Sequence, residues 1–325
     1  MGDATSHAHG GAGADGPRVM GSGTSGHRGT EAQRDGRRVV ALAVPLCLCA
    51  TLVASPAVAQ TWRTVTSARQ LHGERDLAVH VQYGAGRFRL TPGAEGELYR
   101  LEMRYDEEKF TPVRSYDAAS NLLDLGVHGR EGVRVSLGDS RRDDEPPYLD
   151  LALSPDIPLT LDLELGAVQS TVNLGGLALR SVHYRTGASE THLSFDRPNP
   201  VTCDVLSMEA GAAQFEARQL ANANCSQVSF RGGVGDVTLD FGGTWRRSMS
   251  ADLDVGIGSL HLMLPRDVGV EVHLSRFLAS FDAAGFTKRG DVYQSANFAT
   301  ARQRLVLHVN ASLGGIDVSW VAPGQ

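Results

Sequence analysis

Residues 161–200 read LDLELGAVQSTVNLGGLALRSVHYRTGASETHLSFDRPNP. Leu161 and Leu163 alternate with Asp162 and Glu164 ahead of Gly166. Val182 and Tyr184 alternate with His183 and Arg185 ahead of Gly187. Strict alternation is the strand period, because successive Cβ atoms point to opposite faces. The same arrangement recurs along the chain, with anchors at Gly166, Gly187, Gly211, Gly233, Gly256, Phe277 and Ser312. Five residues before them stand Leu161, Val182, Leu206, Val228, Ala251, Val272 and Leu307. Three before stand Leu163, Tyr184, Met208, Phe230, Leu253, Leu274 and Val309. A second alternating run follows each anchor, as in Val237, Leu239 and Phe241.

Each unit spans about 22 residues, which is too short for a strand–helix–strand crossover of roughly 30 or more. One unit cannot bury its own apolar side, whereas stacked units can. The pattern therefore predicts an all-β chain: a β-solenoid, a parallel β-helix-like stack with aliphatic ladders inside. An antiparallel sandwich is the rival, but its strands would not hold one column phase through seven repeats. The glycines at 166, 187, 211, 233 and 256 are expected to be structural turns with φ > 0. The longer last interval, from Phe277 to Ser312, predicts an insertion over about 285–302.

Two further columns test the stacking. Two residues before the anchors stand Glu164, Arg185, Glu209, Arg231 and Asp254, alternating in sign at each step. Like charges directly opposite one another destabilise a sheet, so this order penalises a slipped stack. Cys203 and Cys225 each lie eight residues before an anchor. Neighbouring strands are about 4.8 Å apart, within reach of a disulfide. The pair is read as a disulfide, the alternative being two buried thiols.

Ahead of the repeats, residues 77–90 fit the same template, and alternation returns at Leu101–Tyr105 and Val133–Leu137. The charged, proline-bearing stretch 138–147 is read as a linker or exposed loop. The predicted organisation is a disordered tail at 1–33, a signal peptide at 34–59, an N-terminal β region at 60–147 and a β-solenoid domain at 148–325. The tail holds His7, His9 and His27 but almost no aliphatic residues. Arg34, Arg37 and Arg38 precede the apolar run 39–54 and Ala57-Val58-Ala59, the order of a secretory leader cleaved after Ala59. Translation from Met20 would shorten it. The expected location is periplasmic or secreted, with a single N-terminal membrane anchor as the alternative.

Residues 161–200 resemble the repeat of the bacterial toast-rack domain family. The matching marks are Gly166-Ala167, Gly187-Ala188, Leu174-Gly175-Gly176-Leu177 and Asn199-Pro200. YGAGRFRLTPG at 83–93 is similar to the start of the toast-rack N-terminal region. The resemblance implies a β-solenoid like those of LiaF-like envelope-stress proteins and adhesin-type solenoids. It implies no catalytic residue.

The chain has 31 basic and 37 acidic residues, a net charge of −6. That argues against a nucleic-acid partner, which calls for a basic face. No G-x-S-x-G, H-E-x-x-H, C-x-x-C or Walker-type loop occurs. His192 beside Glu216 is the nearest approach to an acid–base or metal pair. Asp252 and Asp254, with Asp240, are the nearest to a calcium set. Neither has the ligands to carry a site, so no catalytic residue, metal or cofactor is expected. Phe277, Phe281, Phe286, Tyr293 and Phe298 are expected to cap the end of the stack.

The function expected is a non-enzymatic exported module for binding, scaffolding or stress response at the cell envelope. Its partner would be an envelope protein or a glycan. The alternatives are a polysaccharide-acting β-helix enzyme and a membrane-anchored regulator of envelope-stress signalling.

Overall fold

Alternating side chains produce long strands here because each strand carries its apolar set through the whole unit. The structure is a computed structural model describing residues 61–130, 146–290 and 292–322. The predicted tail and leader, the run Val133–Leu137 and most of the 138–147 loop lie outside the described residues.

Eight long strands form the parallel stack: β2 (Leu77–Pro92), β7 (Leu159–Asn173), β8 (Leu179–Ser194), β9 (Cys203–Arg218), β10 (Cys225–Asp240), β11 (Met249–Pro265), β12 (Gly269–Phe281) and β15 (Arg304–Val321). At one end lie β1 (Trp62–Gln70), β3 (Glu97–Asp106), β4 (Phe110–Asp117), β5 (Leu122–Gly129) and β6 (Tyr148–Leu153). A hairpin of β13 (Phe286–Arg289) and β14 (Val292–Ser295) lies at the other. The predicted ladders are in register: Leu163 pairs with Tyr184, Tyr184 with Met208, and Met208 with Phe230. The fold is the β-solenoid that the column phase requires.

Within one strand the inward set changes phase at the anchor. In β7 the buried positions are Leu161, Leu163 and Leu165, then Val168, Ser170 and Val172. Gly166 and Ala167 both face away from the core, so the strand bends there. The two halves of a coil then enclose the core between them. Tyr184, before the anchor, meets Ser170 and Thr191, which lie after theirs. Its hydroxyl is 2.7 Å from Ser170 Oγ and 3.0 Å from Thr191 Oγ1. This explains two hydroxyl residues in an otherwise apolar ladder: they satisfy a buried phenol. Phe215 continues the contact, with its ring 5.9 Å from Tyr184 and 5.1 Å from Phe230.

The anchor glycines are not φ > 0 turns. Gly166, Gly187, Gly211, Gly233 and Gly256 lie inside continuous strands and outside the left-handed region. What they supply is space, since a Cβ on each would crowd the carbonyl of the glycine one coil earlier. Positive φ falls two residues later, at Gly235, Gly258 and Gly314. These three stack in adjacent strands.

The order of coils departs from chain order at the far end. β15 pairs with β11 on one side and β12 on the other, so the last strand enters between two earlier ones. The β13–β14 hairpin within the predicted insertion returns the chain for this step. Its aromatics pack on the end of the stack: Phe281 lies 4.9 Å from Tyr293, and Phe286 lies 5.1 Å from Trp320. Phe298 takes no part in these ring contacts; the Arg304 guanidinium lies over its ring. Phe277, expected in this cap, is instead 80% exposed.

At the near end, β2 is a full coil paired with β7 along both halves. Its other side is covered in two pieces, by β5 on the first half and β6 on the second. Antiparallel β4 lies against β5, and β3 and β1 follow β6, so β4 and β1 are the outermost strands at this end. The sheet and core run without interruption through 147/148.

Candidate functional site: a trough along the anchor column

Missing side chains at successive anchors leave a trough on the outside of the stack. Its first section, about 800 Å³, runs from Gly84 past Gly166 to Gly211, beneath Phe110 and residues 127–129. A second section of about 570 Å³ continues past Gly233 and Gly256 to Phe277 and Ser312.

One wall is the charge column. Arg185 Nη2 lies 3.1 Å from Asp162 Oδ1 and also bonds Glu164 Oε1. Arg231 lies 3.6 Å from Glu209 and 3.8 Å from Asp254. Asn310 Nδ2 donates to Asp254 Oδ1 at 2.7 Å. The lining ends at the anchors themselves, and one residue past them a further column follows on the outer surface. It changes from Ala167, Ala188 and Ala212 to Val234, Ile257, Leu313 and Leu278. The last four are exposed. The trough is larger toward Gly84 and smaller toward Ser312, and charged side chains line both sections.

The charge wall pairs opposite signs between neighbouring coils on an exposed surface, where each pair is worth about 0.2–1 kcal/mol. Arg185→Glu should face Asp162, Glu164 and Glu209 with like charge and lower stability by about 1–2 kcal/mol. Urea midpoints would measure it, and an unchanged midpoint would remove the register argument.

The other sequence candidates do not converge. His192 Nδ1 lies 3.0 Å from Glu216 Oε2, and Arg218 Nε bonds the other oxygen of Glu216 at 2.6 Å. Partial burial pushes the Glu216 carboxyl upward, but bonds from Arg218 and His192 outweigh this and hold it below the usual range. The group is therefore a saturated ion pair, not a poised base. Asp240 spends its carboxylate on the backbone N–H groups of Gln219 and Gly242. It does not join Asp252 and Asp254. Trp62, Trp245 and Trp320 are each engaged separately and form no stacking strip.

Cys203 and Cys225 sit opposite one another in β9 and β10, with Cα atoms 4.1 Å apart and a disulfide between them. The bond encloses a 22-residue separation. In the chain-entropy account, a loop of that size is worth about 3 kcal/mol. Non-reducing peptide mapping of protein from an oxidising compartment should show the linkage, and reduction should lower the urea midpoint accordingly. Two free thiols would refute it.

Residues 58–214 and 199–263 match the family described as the N-terminal domain of toast_rack, DUF2154. The chain belongs to the toast-rack family. No curated protein matches it. Solved structures similar to this toast-rack chain include a proposed cell adhesion protein from Clostridium sporogenes. That one is 16% identical, covers 80% of this chain and all of its own, and has a TM-score of 0.41. A proposed adhesin from Bacteroides fragilis is 10% identical over 78% of this chain and 97% of its own, with a TM-score of 0.34.

Two features of the toast-rack stack are missed by the sequence reading. One is the insertion of β15 between β11 and β12, for which the columns hold no signal because every coil fits every neighbour. The other is the grouping of His80 with Asp162 and Glu164. Placing residues 77–90 on the template sets His80 in the column of Asp162, so the signal for this one was present.

Proposed function

We propose that this toast-rack chain is a non-enzymatic binding module exported to the cell envelope, where it holds an extended envelope polymer along its trough. The observation that carries the reading is the trough itself. It crosses successive coils at constant spacing, with laterally paired charges beside small and apolar lining residues. Such a surface suits an elongated ligand touching many coils weakly, rather than a small substrate held at one point. Among the described residues, no nucleophile with an adjacent base faces it. The leader read at 34–59 supports export.

Co-sedimentation with an insoluble envelope fraction tests the proposal. The protein should pellet at low salt and be released near 1 M salt, where the screening length falls to about 3 Å. Arg231→Glu should weaken retention. No retention at low salt, or steady release of reducing sugar from polysaccharide, would overturn it.

A further inference from the structure

At the β2 end of the trough's charge wall, one cluster brings together side chains that metals bind. His80 of β2 stands between two carboxylates in the stack, Asp124 of β5 and Asp162 of β7. Glu164 is on the same strand as Asp162, two residues on, and so points to the same face. One ligand atom from each of His80, Asp162 and Glu164 can be chosen so that all three lie within 4.8 Å of one another. In a tetrahedral site, metal–ligand bonds of about 2.0–2.2 Å set ligand atoms about 3.3–3.6 Å apart, so a side-chain adjustment of about 1 Å closes the set. All three are half-buried, which leaves room for that adjustment.

The imidazole is already oriented for this task. His80 Nδ1 lies 3.1 Å from Asp124 Oδ1. A carboxylate holding one ring nitrogen fixes the tautomer and leaves Nε2 as the free ligand. Asp124 thus plays the part of the outer carboxylate that accompanies metal-bound histidines. The remaining contacts supply the competitor. Arg185 bonds both Asp162 and Glu164, and Gln82 Nε2 donates to Glu164 Oε2 at 3.3 Å. With no ion bound, the guanidinium neutralises the two carboxylates. An incoming cation must displace it.

We infer that His80, Asp162 and Glu164 form a binding site for a divalent first-row transition ion of the zinc type, oriented by Asp124 and held in check by Arg185. An imidazole nitrogen with two carboxylates selects such an ion over calcium, which takes six to eight oxygens. Three protein ligands leave a position open to water or to a ligand donor. The site borders the trough at Glu164, but the inference does not depend on what the trough binds.

Zinc titration of the purified full-length chain against a chromogenic chelator tests it. Wild type should bind one ion that His80→Gln removes. Glu164→Gln should weaken binding at least about tenfold. Asp124→Asn should weaken it about tenfold through the outer shell. Arg185→Gln should tighten it, since the competing cation is gone. Unchanged circular dichroism would show that each variant is folded. Zinc binding that is equal in wild type and His80→Gln would overturn the site, as would an Arg185→Gln chain that binds no more tightly than wild type.

Discussion

Gly258→Ala should cost the protein about 3 kcal/mol or more, whereas Gly187→Ala should cost no more than about 1 kcal/mol. Both glycines lie on the outer bend of a coil, and a reader of the sequence would treat them alike. The structure separates them. Gly258 has φ +139°, a conformation that side chains rarely adopt, and a Cβ there would fall on the carbonyl oxygen of Gly235. Gly314 stacks above it and repeats the clash against Gly258, so the strand cannot shift away from one neighbour without meeting the other. Gly187 is outside the left-handed region, and its nearest contact would be Gly166 O at 3.2 Å. Urea unfolding of both variants with unchanged slope measures the contrast. Equal midpoints would show that the bend needs only small residues.

Asn199→Ala should likewise destabilise by about 3 kcal/mol or more, because it strands several buried main-chain groups at once. Asn199 sits in the turn between β8 and β9 and is fully buried. Its Nδ2 donates to Leu179 O at 2.8 Å and to Ala223 O at 2.9 Å. Its Oδ1 accepts from the N–H groups of Leu179 and Val201, each at 3.1 Å. Leu179 opens β8 and Ala223 lies in the turn between β9 and β10, so one amide joins three successive coils. Asn222 does the same one coil on, donating to Phe195 O and accepting from Thr244 N–H. Asn310→Ala, which loses a single exposed bond to Asp254, should change stability by no more than about 0.5 kcal/mol. If Asn199→Ala proved as mild as Asn310→Ala, the clamp would be dispensable.

The two residues illustrate where sequence reading stops. Asn199 is visible as a unit-closing mark, but its partners lie 20 and 24 residues away and are backbone atoms, which carry no sequence signature. Gly258 is visible only as another glycine. Its φ follows from where the phase of the strand changes, and the change appears only when buried positions are counted on both sides of the anchor. The His80 cluster lies between the two cases. Its ligands share the template columns, yet 82 residues separate His80 from Asp162 and the pairing of β2 with β7 joins them.

The sequence by itself determined that this chain is a stack of β coils, which columns share the interior, and that charges of opposite sign meet along one edge. Those properties follow from local alternation and a repeat length that recurs, both of which are written along the chain. Tertiary structure alone decided that β15 enters between β11 and β12, that β5 and β6 jointly complete a coil, and that Gly235, Gly258 and Gly314 carry the left-handed bend. Equivalent coils bury equivalent faces, so their periodic pattern cannot rank neighbours; the choice falls to chain connectivity and to backbone contacts between coils.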